Sequence, residues 1–210
     1  MKIIFDHSFG RMTDMDVSYS VAKAEVGHQE WKHAPTLGWL PDEWEPPFWF
    51  TGRQTRLDLV AFKKKHKFPK NLRFSLVEIG KIADSRLANI WRDYTADRFE
   101  SDHLEFRKTL EYQPEHKRIL VVYDETKLVA FSILRVWPMF VSLQLAWNYH
   151  NPKLSVGVHA QYYEMEIARS MGYRYVYLCP GYETACIWKS RFPGFEWWTG
   201  EKWSTNKKRY

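Results

Sequence analysis

The second half of the chain alternates and groups its apolar residues most clearly. "RILVVYD" and "KLVAFSILRVW" flank the turn signal "DETK" and predict a β-hairpin. A third strand, "FVSLQLAWNY", follows a Trp-Pro break. After the polar loop "HNPKLSVG", Tyr162, Met165, Ile167, Ala168 and Met171 recur at roughly helical spacing, and Gly172 stands where a left-handed C-cap ends a helix. A short strand "YRYVYL" comes next, then a loop with a short helix, then a terminal strand, with Trp188, Trp197 and Trp198 expected to close the core under it.

The first half is patterned less sharply. It opens on a strand-like "KIIF", and the middle of "SVAKAEVGHQEWKHAPTLGW" reads as a helix ended by Pro35 and Gly38. In "FWFTGRQTRLDLVAF", Phe48, Phe50, Leu57 and Leu59 alternate with polar residues as in a half-buried strand. The basic run "KKKHKFPKNLRF" leads to an amphipathic helix over "LVEIGKIADSRLANIWRDYTADRF". A polar stretch near residues 100–118 sets a boundary between residues 1–110 and 111–210.

Composition narrows the picture. At 210 residues and 45% hydrophobic content the chain can bury a core. Its formal charge of +6 suits an anionic partner without selecting one. Eleven tryptophans serve as core filler first and as stacking platforms second. Two cysteines build no disulfide framework, the N-terminus lacks a signal-like apolar run, and no apolar stretch is long enough to span a bilayer. A cytoplasmic protein with no membrane role is the simplest expectation. Cys179 and Cys186 have no neighbouring His or third Cys, so no metal site is expected.

The order of elements in the second half is that of a GNAT-type acyltransferase. In the same order, "KLVAFSILRV", "NPKLSVGVHAQYYEMEIARSMGYRYVYL" and "WKSRF" resemble segments of the arginyl-tRNA–protein transferases and their bacterial aminoacyl-tRNA–protein transferase relatives. "LGWLP" and "TRLDLVAFKKKHKFPKNLR" resemble segments of that family's first half. Order and spacing over most of the chain carry the likeness, since each motif alone is weak. Where the family usually has a cysteine cluster, this chain reads "PPFWFTG"; its "DP" loop reads Asn151-Pro152, and its "SLGT" reads Ser155-Val156-Gly157-Val158.

The resemblance implies an α+β fold: a GNAT-like mixed sheet flanked by helices, with a smaller N-terminal α/β half. It implies an enzyme that moves an amino acid from aminoacyl-tRNA to an amine on a protein or peptide, with tRNA and the acceptor as partners and no cofactor. Two alternatives stay open: an acyl-CoA-dependent N-acyltransferase, whose donor would be acetyl-CoA, and a non-catalytic RNA- or partner-binding domain. The full Gly-rich loop that holds a pyrophosphate is missing from "NPKLSVGV", which counts against CoA.

An aminoacyl ester is already activated, so the chemistry needs donor anchoring, carbonyl polarisation and removal of a proton from the attacking amine. Tyr182, Glu183 and His150 are the candidate proton-relay residues. Tyr177, Asn151, Ser155, Lys189 and Arg191 are candidates for substrate binding. Arg53, Arg56, Lys63, Lys64, Lys67, Lys70 and Arg73 are candidates for RNA contact, where cations interleave with Phe62, His66 and Phe68. A surface pairing of Glu183 with Lys189 or Arg191 and a merely solvated basic loop are equally open. Glu164 and Glu166 read as ordinary surface carboxylates.

Overall fold

The computed structural model describes residues 3–12, 15–43, 45–62, 66–96, 106–148, 155–180 and 184–210. Two compact units emerge: Met1–Lys63 with Arg174–Tyr210, and Lys64–Tyr173. The expected boundary near residue 110 lies inside the second of these. Strands from the far C-terminal segment pair with a strand of the N-terminal segment, which makes the first unit discontinuous in sequence.

In the first unit, β1 (Ile3–Met12), β2 (Met15–Glu25), β3 (Trp39–Pro41) and β4 (Phe48–Thr51) form an antiparallel sheet in the order β1-β2-β4-β3. The helix expected in the middle of residues 20–39 is absent. "SYSVAKAE" continues the hairpin strand β2, and two single 3-10 turns, His28–Glu30 and Ala34–Leu37, follow it. The β-branched Val17 and Val21 suit a strand, and Gly27 and Pro35 leave too little room for a full helix.

The single strand expected from Phe48 to Leu59 is two strands. A bend at Gly52 and Arg53 divides β4 from β5 (Gln54–Asp58), and β5 pairs antiparallel with different neighbours. Those neighbours are β10 (Tyr175–Pro180) on one side and β11 (Phe195–Trp198) on the other, with β12 (Trp203–Ser204) beyond β11. A strand paired on both edges and covered on its faces is buried throughout. Gln54, Thr55, Arg56 and Leu57 are all buried, so a half-buried alternation fails there. Gly194 has φ 74 and sits so close to β5 that a Cβ would lie 2.2 Å from the Asp58 carbonyl oxygen. Glycine alone lets the chain turn into β11 at that spacing.

The second unit holds β6 (Leu72–Val77), β7 (Lys117–Asp124), β8 (Lys127–Arg135) and β9 (Phe140–Trp147) in the order β9-β8-β7-β6, every described pair antiparallel. The hairpin and third strand stand where the sequence places them. The helix expected from Leu76 begins later: Leu72–Val77 is strand, and α1 runs Asp84–Ala96 with Asp84 in its first turn. A shorter α2 covers Phe106–Glu111.

Helix α1 lays Leu87, Ile90, Trp91 and Tyr94 on Ile119, Val121, Phe131 and Ile133. The long helix α3 (Val156–Ser170) packs against β7, β8 and β9. Covering both faces explains why "ILVV" and "LVAFSIL" are nearly continuous apolar runs. Gly172 has φ 81, the left-handed conformation expected after this helix. The α+β class read from the sequence is borne out, and the order hairpin, strand, helix, strand, short helix, strand holds along the chain.

Candidate functional site

Tyr182, Glu183, His150, Asn151, Lys63 and Lys64 fall outside the described residues. The structure does show what holds the strand that leads to Tyr182. The pairing of β10 with β5 shifts register between Tyr177 and Pro180, and Cys179 takes a left-handed φ of 59. Two side chains fasten this bulge: Thr55 Oγ1 donates to the Cys179 carbonyl at 2.7 Å, and Lys189 Nζ donates to the Leu178 carbonyl at 2.9 Å. Lys189 is therefore a buried clamp on the strand exit. Arg191, two residues on along the same 3-10 helix (Thr184–Arg191), is exposed.

Tyr177 and Arg56 face each other across β10 and β5, and Glu196 lies opposite Arg56 on β11. The Arg56 guanidinium contacts Glu196 Oε2 at 2.6 Å and 2.7 Å. It lies 3.8 Å from the ring centre of Tyr175 and 4.0 Å from that of Trp203. Burial raises the Tyr177 hydroxyl above its ordinary value, while the charge and hydrogen bond of Arg56 pull it back. Both expected contact residues are thus committed inside the unit: Arg56 is buried among rings instead of facing a phosphate, and Tyr177 is enclosed. Arg53 rests against the rings of Trp197 at 5.2 Å and Tyr210 at 4.9 Å and donates to the Tyr210 carbonyl.

Lys67, Lys70 and Arg73 belong to the second unit, and all three are exposed. The aromatic residues interleaved with them turn the other way. His66 stacks on Tyr162 of α3 with ring centres 3.9 Å apart and planes at 7°, and its Nε2 lies 2.8 Å from His159 Nδ1. Phe68 packs edge-on to Tyr163 at 5.6 Å, and Phe74 stacks on Tyr163 at 4.6 Å. The segment presents cations outward and uses its rings as anchors. Phe62, in the other unit, is buried.

Ser155 is exposed just ahead of α3, with φ 48 and no side-chain capping bond. Gly157, the single glycine at this helix start, lies under the Trp147 ring, which a Cβ would approach to 3.1 Å. It serves close packing of α3 on β9.

The residue that the sequence reading passed over is Glu164. Its side chain is fully buried between α3 and the sheet, in the stripe Val156, Ala160, Glu164, Ala168. Tyr162 and Ile167, expected on the inner face, are half-buried, and Met171 is exposed. Burial pushes the Glu164 carboxyl up to about 7, against the opposing pull of Ser132, Ser142 and Gln161. Gln161 Nε2 donates to Oε2 at 2.8 Å, whereas Oε1 and the nearby Ser132 hydroxyl make no protein hydrogen bond of good geometry. Two signals pointed there: a serine interrupting the apolar run "LVAFSIL", and a four-residue spacing of small residues around Glu164.

Burial pushes the Cys179 thiol up to about 12. Among the described residues no three His, Cys, Asp or Glu side chains cluster as metal ligands, and no helix is long and apolar enough to cross a membrane.

The likeness read from the motifs holds over residues 87–187, which match the family model of the arginine-tRNA-protein transferase C terminus. That stretch runs from α1 into the 3-10 helix after β10. No curated protein sequence matches.

Among solved structures, the chain is similar to the C-terminal (DUF2156) domain of a putative lysylphosphatidylglycerol synthetase from Agrobacterium fabrum. The two are 19% identical with a TM-score of 0.48, over 66% of this chain and 49% of that one. It is also similar to L-PGS from Bacillus licheniformis, at 14% identity and a TM-score of 0.45 over 60% and 46% of the two chains. A GCN5-related N-acetyltransferase from Kribbella flavida is 16% identical with a TM-score of 0.44 over 72% and 55%. The chain spans about half the length of these structures.

Proposed function

We propose that the protein is an aminoacyltransferase that carries an amino acid from aminoacyl-tRNA to an amine, at the N-terminus of a protein or peptide. The observation that carries this reading is the match of residues 87–187 to the arginine-tRNA-protein transferase C terminus. Two features of the second unit favour it over a CoA-dependent transferase. The glycine at the start of α3 is taken up by packing against Trp147, and exposed Lys67, Lys70 and Arg73 offer charge to a nucleic acid backbone.

In this reaction the acceptor nitrogen attacks the ester carbonyl of the donor. The amide C–N bond forms, the ester C–O bond breaks, and the ribose hydroxyl leaves with a proton. The ester supplies the driving force, so no covalent enzyme intermediate is required. Tyr182, Glu183 and His150 are the residues assigned to move the proton from the amine, and Asn151, Ser155 and Arg191 to hold substrate. Lys189 acts indirectly, by fixing the carbonyl of Leu178 and with it the path of the chain toward Tyr182.

The test is transfer itself. The protein is incubated with a pool of charged tRNA and a set of acceptor proteins, and modified N-termini are read by mass spectrometry. Ribonuclease treatment of the donor should abolish the mass increment, and Glu183→Gln and Tyr182→Phe should each lower turnover roughly a hundredfold, as expected for loss of a general base. Transfer from acyl-CoA, or none from any charged tRNA, overturns the proposal. Wild-type rates in both variants would remove the relay from this loop.

A further inference from the structure

The contact between His66 and His159 is an unusual anchor for a basic segment. Two imidazoles with Nε2 and Nδ1 at 2.8 Å share one hydrogen bond, so one ring donates and the other accepts. One added proton turns this into an imidazolium donating to a neutral imidazole, which is a stronger, charge-assisted bond. A second proton would set two cations in contact. The pair therefore has room for one extra proton and resists another.

Its surroundings keep that proton off near neutrality in the free protein. Burial lowers both imidazoles, and His66 lowers His159 further, while the Glu166 carboxylate on α3 opposes this at His66. The other ionisable groups on the packed elements are Tyr162, Tyr163, Glu164 and Arg169 of α3, Lys67 beside His66, and Arg73 on β6. Of these Lys67, next to His66 in the chain, is an exposed cation, whereas Arg73 points to the other face of β6, where it donates to the Glu125 carbonyl. The same two residues, with Lys70, are the exposed charges of the segment.

We propose that the His66–His159 pair is a proton-uptake site coupled to phosphate binding on segment 66–74, so that this face of the second unit grips RNA more tightly as pH falls. The inference rests on the reading of the segment as an RNA contact. An RNA phosphate held by Lys67 or Lys70 brings negative charge to the segment that carries His66 and favours the imidazolium, and the proton in turn adds one positive charge to the grip. Linkage makes the two effects equal in size.

The probe is an uncharged RNA minihelix with a single-stranded 3′ end, titrated at fixed salt between pH 7.5 and 6. One coupled proton allows at most a tenfold change per pH unit, so the wild type should tighten roughly three- to tenfold over this range. His159→Asn and His66→Gln, which keep a hydrogen-bonding group at each position, should flatten the dependence while still binding at pH 7.5. RNA binding with the same pH slope in wild type and variants overturns the inference and leaves the RNA reading standing, as does binding with no slope at all. Failure to bind RNA at any pH overturns both. Ring-nitrogen NMR of the free protein gives a second check: one imidazole should titrate below 6.5 with the hydrogen bond retained, and two independent titrations near 6.5 would sink the shared-proton pair.

Discussion

Arg56 on strand β5 of the first unit and Glu164 on helix α3 of the second are both buried, and the two are handled in opposite ways. Arg56 in the first unit has a carboxylate from Glu196 at 2.6 Å and aromatic faces at 3.8 Å and 4.0 Å. Its charge is matched on the same face of the sheet, because register places Tyr177 and Glu196 directly beside it. Glu164 in the second unit meets two hydroxyls and an amide, and the influences acting on it are burial and these neutral groups. A compensated charge acts as a fixed strut. An uncompensated one gives up its charge near neutral pH and becomes a titrating element of the fold.

The largest effect should come from breaking the compensated pair. Arg56→Met keeps apolar volume between Tyr175 and Trp203 but strands the Glu196 carboxylate, which is only 17% exposed. Removing one partner of a buried pair costs about 3–5 kcal/mol. Urea denaturation of wild type and variant measures it, and a loss under about 1 kcal/mol would mean that the rings, not the ion pair, hold Arg56 in place.

Glu164 should do the reverse, with a smaller cost that depends on pH. Its carboxyl moves from 4.5 in the unfolded chain to about 7 in the folded one. The folded state then binds the proton more tightly, so stability is fully present below pH 4.5 and falls as pH rises toward and through 7. The whole step corresponds to about 3 kcal/mol. Glu164→Gln keeps the shape and a hydrogen-bonding amide but cannot titrate. Unfolding free energies of wild type and variant should therefore diverge by about 2.5 kcal/mol between pH 5 and pH 8, the variant gaining at the higher pH. Parallel curves would show that Glu164 is compensated after all, and the contrast with Arg56 would collapse.

Which of these features could be read from the sequence follows from how each is patterned. The hairpin Lys117–Arg135, β9 and α3 were legible because their apolar runs are long and are punctuated by "DETK", Trp-Pro and Gly172. Residues 20–39 misled because "VAKAE" contains good helix formers, and β2 is a strand only through its pairing with β1 and β4. Arg56 looked like a surface cation because alternation assumes one wet face, and the pairing that buries it comes from a segment more than a hundred residues away. Glu164 was hidden for a related reason. A carboxylate on a helix is ordinarily exposed, and the apolar residues used to set the phase of α3 included Met171, which points to solvent.

The smallest change separates the two roles of Tyr177. Its hydroxyl takes part in the Arg56 assembly, yet the guanidinium keeps Glu196 and both rings without it. Tyr177→Phe should therefore cost about 1 kcal/mol, the net value of one hydrogen bond, and leave the KM for the proposed aminoacyl donor unchanged. A cost approaching that of Arg56→Met would make the hydroxyl part of the charge compensation, and the comparison would have to count Tyr177 with Glu196. A raised KM at unchanged stability would instead return Tyr177 to the substrate pocket, since a side chain only 4% exposed in the free protein affects substrate binding only if the strand exit opens when substrate enters.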